Sequence, residues 1–198
     1  MKDHVSKLLE LWNPETFKSN LILSSIFIAY FENSTDYIID QPKTFFTNCY
    51  DSEKGEIVSP EYKSKVLNLD KKPINASLQW FKQQGAIDDE DIEMFEILRR
   101  YRNKLSHELA KILLEEGLEA TTYSENLNKL FALRIKLEKW WFFYFEIEFT
   151  DIENPNELKP EDVTTGGVMI YQLFMDLLSD DKEKSNFYVN EIKRRMAK

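Results

Sequence analysis

The chain has 198 residues, a formal net charge of −9, and 42% hydrophobic, 14% aromatic and 31% charged residues, with only five glycines and six prolines. That composition excludes a disordered chain and a turn-rich β sandwich, and points to one substantial core built from long elements. A uniformly acidic surface repels a phosphate backbone, so extensive nucleic-acid binding is excluded and only a small, localised basic site stays open.

Val5, Leu8, Leu9 and Trp12 stand at helical spacing, and Asn13-Pro14 stops this first short helix. From Glu15 to about Phe31 the apolar residues fall nearly all round, which predicts a helix buried on most of its surface. Its expected limit, if it continues through Tyr37 and Ile38, is the break at Gln41-Pro42. Residues 42–60 are less periodic and read as a long connection with a turn over Asp51-Ser52-Glu53-Lys54-Gly55. Tyr62, Val66 and Leu69 suggest a short helix ended by Pro73. Ile74, Leu78, Trp80 and Phe81 suggest another, closed by Gly85.

Asp88-Asp89-Glu90-Asp91 places acids where a helix dipole favours them. The helix that follows has the clearest stripe in the sequence (Ile92, Phe95, Leu98, Leu105, Leu109, Ile112, Leu113), and its expected end is Gly117. A second long helix is expected from about Ser124 into the aromatic block Trp140 to Phe145. Asp151 to Gly167, with Asn154-Pro155, Pro160 and Gly166-Gly167, reads as a linker or loop. Val168 to Leu178 and Phe187 to Met196 give two more amphipathic helices. No stretch alternates convincingly enough to predict a strand. The fold class is all-α: a helical bundle over 1–150, a connection over 151–167, and a C-terminal helical extension over 168–198 packed on the same domain.

Cys49 is the single cysteine, so neither an intramolecular disulfide nor an all-thiolate zinc site can form. Its neighbours Asn48, Tyr50 and Asp51 offer nothing that activates a thiolate, and a structural role is expected. His4 is far in sequence from any ligand-like cluster and reads as a surface residue. The acids 88–91 lack the glycine-spaced loop of a calcium site. There is no phosphate-binding glycine loop, no GxSxG and no Cys-His spacing for zinc, so no metal and no cofactor is expected. The N-terminus has no signal-type apolar core, and the apolar runs at 21–31 and 140–149 are too short to span a bilayer; a cytoplasmic location is expected.

Arg99-Arg100-Tyr101-Arg102-Asn103-Lys104-Leu105-Ser106-His107-Glu108 gathers four basic side chains in six positions and one of the two histidines. One reading is a solvated helix face whose charges pair with Glu93, Glu96 and Glu108. The other is chemical: arginine holds a phosphate bidentately, and histidine moves a proton near neutral pH. Residues five apart differ by about 140° around a helix, so Arg102 and His107 do not aim at one point, whereas Asn103 and His107 share a face. Two copies meeting on a two-fold axis would pool them. The aromatic block 140–145 has Lys136, Lys139, Glu146 and Glu148 as neighbours, which favours core packing plus a subunit interface over a base-stacking platform.

At these residues the sequence resembles the HEPN superfamily, all-helical domains of prokaryotic toxin, abortive-infection and antiviral systems. Their signature is arginine, four to six residues, then histidine, often with a polar residue directly after the arginine. Arg102-Asn103-Lys104-Leu105-Ser106-His107 fits with four intervening residues. The resemblance covers about residues 1–150. It implies a metal-independent endoribonuclease acting as a homodimer on flexible, single-stranded RNA. Arg102 would bind the scissile phosphate, His107 would serve as general acid or base, and Asn103 would orient either. Arg99, Arg100 and Lys104 would extend the phosphate track. An antitoxin or defence-system protein would be the partner. Some members of the family are inactive dimerisation or partner-binding domains. In one branch a tyrosine two residues after the histidine is modified by a nucleotidyltransferase partner; here Leu109 stands there, and that control is not implied.

Overall fold

The computed structural model describes residues 2–52, 55–152, 154 and 157–196, without the side chains of 2–4 and 51. The expected turn at 53–54, Pro155 and the side chain of His4 lie outside these. Helices dominate: α1 (Lys2–Leu11), α2 (Pro14–Phe45), α3 (Pro60–Lys65), α4 (Pro73–Gln83), α5 (Asp89–His107), the single turn α6 (Leu109–Lys111), α7 (Ala120–Trp141), α8 (Gly166–Leu177) and α9 (Lys182–Met196). The all-α expectation holds with one local exception. Thr47–Asp51 (β1) and Gly55–Val58 (β2) pair as a small antiparallel hairpin inside the segment expected to be a connection. The pair is too short to show alternation in the sequence, and pairing rather than patterning defines it.

α2 is the central strut. Asn13 caps it by accepting from the Glu15 N–H at 2.9 Å, and Pro14 enters at the first turn, where its missing N–H costs nothing. The break expected at Gln41-Pro42 does not occur: Pro42 is buried in the last turn and the helix runs on to Phe45. Near a helix end the proline has little following helix to displace. Pro73 likewise starts α4 rather than ending the helix before it.

The core lies where α2, α4, α5 and α7 meet. Phe27, Tyr30, Phe81, Phe95, Leu98, Leu105, Leu130, Leu133 and Leu137 are fully or almost fully buried there. Each large side chain removed from water contributes about 1.5–3 kcal/mol before conformational entropy is counted. The aromatic block serves this core: Trp141 packs against Trp80, Phe81 and Phe45, while Tyr144 is exposed.

The clearest predicted helix is shorter than expected. α5 is capped by Asp88, whose carboxylate accepts from the Asp91 N–H while the Asp91 carboxylate accepts from the Asp88 N–H. It ends at His107 instead of Gly117. Glu108 interrupts it, α6 follows, and a π turn over Ile112–Glu116 closes at Gly117 with φ +79°. The apolar stripe continues through this break, because Ile112 and Leu113 still reach the interior, so periodicity alone could not show it. The basic cluster therefore occupies the C-terminal half of α5 rather than the middle of a longer helix. Trp12 ties α1 to this turn by donating its indole N–H to the Leu114 carbonyl at 3.1 Å.

α8 begins at Gly166, inside the expected connection, and packs Tyr171 edge-on against Phe131 and Tyr30. The N-terminus of α8 is held from below. Both oxygens of the Glu138 carboxylate accept from the Gly167 N–H at 3.0 Å. Arg134 donates to the same carboxylate at 2.7 Å and to the Asn33 carbonyl at 3.1 Å, and its guanidinium lies over the Tyr37 ring. The pair is only 6% and 8% exposed.

Candidate functional site

α5 presents two faces. Phe95, Leu98 and Leu105 anchor it on the core, leaving the opposite side to solvent. On the inner flank Arg102 is half-buried. Its guanidinium forms an ion pair with Glu32 of α2 and donates to the side-chain amide oxygen of Asn103 at 3.1 Å. Its Nε is buried with no hydrogen-bond partner. Glu32 and Asn103 thus hold Arg102 on two edges. Asn103 and His107 are exposed one turn apart at the end of the helix.

Of the predicted site residues, the structure brings Arg102 and Asn103 together. No hydrogen bond or ion pair among the described residues joins His107 to either. The angular offset expected from the spacing is visible in their surroundings: Arg102 turns inward to α2 while His107 faces water.

The supporting residues divide. Arg99 is engaged by Glu96, one turn earlier. Lys104 pairs weakly with Glu116, at 3.8 Å, rather than with Glu108. Lys111 holds the same carboxylate at 2.5 Å, and it, followed by the charges of Lys104 and Lys7, keeps the Glu116 carboxyl below its ordinary range. Arg100 is exposed and has no ion pair or hydrogen bond among the described residues. Beside Lys104 a cavity of about 100 Å³ is lined by Tyr101, Leu105, Leu118, Glu119 and Thr122. The Tyr101 phenol, packed edge-on against Phe27, is pushed up to about 12 mainly by burial and then by the Glu119 charge, so it stays protonated at neutral pH.

Glu32 and Glu116 did not emerge from the sequence. They reach the motif from α2 and from the π turn, and pairings across tertiary contacts leave no periodic trace. Arg134 and Glu138 did carry a signal, their i,i+4 spacing, but that spacing is common on solvated faces too. Cys49 is exposed on β1, so the structural role expected for it does not rest on burial.

No helix among the described residues is long and apolar enough to cross a membrane. Comparison with protein-family models, with curated proteins and with solved structures found no match to this chain.

Proposed function

We propose that this protein is a metal-independent endoribonuclease of the HEPN type, working as a homodimer within a toxin–antitoxin or antiviral defence system. The observation that carries this reading is the exposed imidazole of His107 on the last turn of α5, on the same face as Asn103, whose amide in turn holds Arg102. A predominantly helical frame around that motif also supports it.

In this mechanism the ribose 2′-oxygen attacks the adjacent phosphorus, and its proton passes to an acid–base group. The bond to the 5′-oxygen breaks, and that oxygen leaves with a proton. The products are a 2′,3′-cyclic phosphate and a 5′-hydroxyl. His107 serves as one proton-transfer group, and its counterpart from a second copy would serve as the other. Arg102 stabilises charge developing on the non-bridging oxygens, and Asn103 orients it.

The ion pair between Glu32 and Arg102 favours a second reading, because a carboxylate already occupies the place a phosphate would take. In that reading the helical body dimerises or binds a partner protein without cleaving RNA. Cleavage of single-stranded RNA in EDTA by the wild type, His107→Ala and Arg102→Ala separates the two. Activity in the wild type that drops about 10²–10⁴-fold in His107→Ala supports the ribonuclease. An inert, folded dimer on every RNA tried supports the silent partner.

A further inference from the structure

Successive residues turn about 100° around a helix, so positions 93, 97, 100, 104 and 107 line up within roughly 80° along α5. All five are exposed: Glu93, Ile97, Arg100, Lys104 and His107. Arg100 lies two turns before His107 and about 20° from it in angle, whereas Arg102 is about 140° away. The side of α5 that carries the imidazole is therefore served by Arg100 and Lys104.

Charge points the same way. Binding a phosphate at Arg102 exchanges one anion for another, because Glu32 already neutralises that guanidinium. Arg99 is in the same position with Glu96. Arg100 is solvated and has no carboxylate partner among the described residues, so an incoming phosphate makes a new ion pair and displaces only counterions. Lys104, at 3.8 Å from a carboxylate that Lys111 holds more closely, keeps most of its charge available. In a chain of net charge −9, this stripe is a localised basic site of the kind the composition leaves open.

We propose that Arg100, supported by Lys104, is the phosphate-binding residue of the His107 face. It grips a backbone phosphate of single-stranded RNA neighbouring the one at the imidazole, while Arg102, already paired with Glu32, keeps its charge-stabilising role at the scissile phosphate and adds less to binding. The assignment rests on the ribonuclease reading for its substrate class. It departs from the family pattern in taking the main substrate interaction from a residue outside the Arg-x4-His motif. The rise between Arg100 and His107, about 10 Å, sets the two on different phosphates of one strand rather than on the same one.

The test is the affinity for an uncleavable 2′-O-methyl single-stranded oligonucleotide over a range of salt concentrations. Removing one cation that neutralises a phosphate of a single strand lowers the log–log salt slope by about 0.7. Arg100→Gln is expected to lower it by that amount and weaken binding several-fold, Lys104→Gln to act in the same direction, and Arg102→Gln to change the slope less than Arg100→Gln. A drop for Arg102→Gln that equals or exceeds the one for Arg100→Gln overturns the assignment. So does an absence of any binding by the folded wild type, which removes the ribonuclease reading with it. Cleavage then separates the two claims. His107-dependent cleavage with an unaltered KM in Arg100→Gln overturns the Arg100 assignment alone. Arg100-dependent binding without cleavage upholds the assignment and removes the catalytic reading.

Discussion

The charged cluster under α8 and the charged stripe on α5 use similar side chains to opposite ends. Arg134 and Glu138 are four residues apart on α7, buried, and saturated by one another, by the Asn33 carbonyl and by the Gly167 N–H. Arg100, Lys104 and His107 are exposed at the same helical spacings, and Arg100 and His107 have no partner among the described residues. Spacing along a helix does not separate a buried, saturated ion pair from charges left open to solvent. What separates them is what packs above. α8 lands on the first cluster and completes it, whereas none of the described residues covers the outer face of α5.

Breaking the buried cluster should have the largest effect. Arg134→Ala leaves a carboxylate uncompensated in the interior and is expected to cost about 3–5 kcal/mol in urea unfolding. A double replacement, Arg134→Met with Glu138→Leu, should lose less, because it removes both charges together. Gly167 comes next. A Cβ there would sit 2.7 Å from the Arg134 Cγ and 3.0 Å from the Tyr30 hydroxyl, so Gly167→Ala should cost about 1–3 kcal/mol in the same measurement.

Acid should erode a smaller share, at the cap of α7. Hydrogen bonds from the Thr122 hydroxyl, and then from the Thr122 and Thr121 backbone N–H groups, lower the Glu119 carboxyl from 4.5 to about 2. The folded value lies below the unfolded one, so this contribution is full above the ordinary carboxylate range and disappears as pH falls through about 2. Melting temperatures from pH 5 to pH 2 should fall less steeply in Glu119→Gln than in the wild type. The least effect on stability is expected on the stripe: His107→Ala should stay within about 0.5 kcal/mol of the wild type. A larger loss would mean that His107 belongs with the buried cluster, as a structural residue.

Much of the fold was legible in the sequence because it rests on local signals. Asn13-Pro14 marks the end of α1, the acids at 88–91 mark the start of α5, and the 3.6-residue stripes mark the buried faces. The departures share one cause. At Pro42, at Pro73 and over 108–117, a strong local breaker or an unbroken stripe misleads when its tertiary neighbours are unknown. The β1–β2 hairpin escapes sequence reasoning for the related reason that a strand of four or five residues is defined by its partner.

The site divides along the same line. The sequence singled out the candidate residues, Arg102, Asn103 and His107 within a basic run, and the helical period set the angular offset between them, since both are properties of one helix. Tertiary structure decided which of the cations are already neutralised. Glu32 comes to Arg102 from 70 positions earlier in the chain, and Glu116 folds back toward Lys104 through the π turn. Arg100 is left open because no such neighbour among the described residues reaches it. A charge becomes available to a ligand through the absence of a partner in space, and that absence is fixed only when the helices pack.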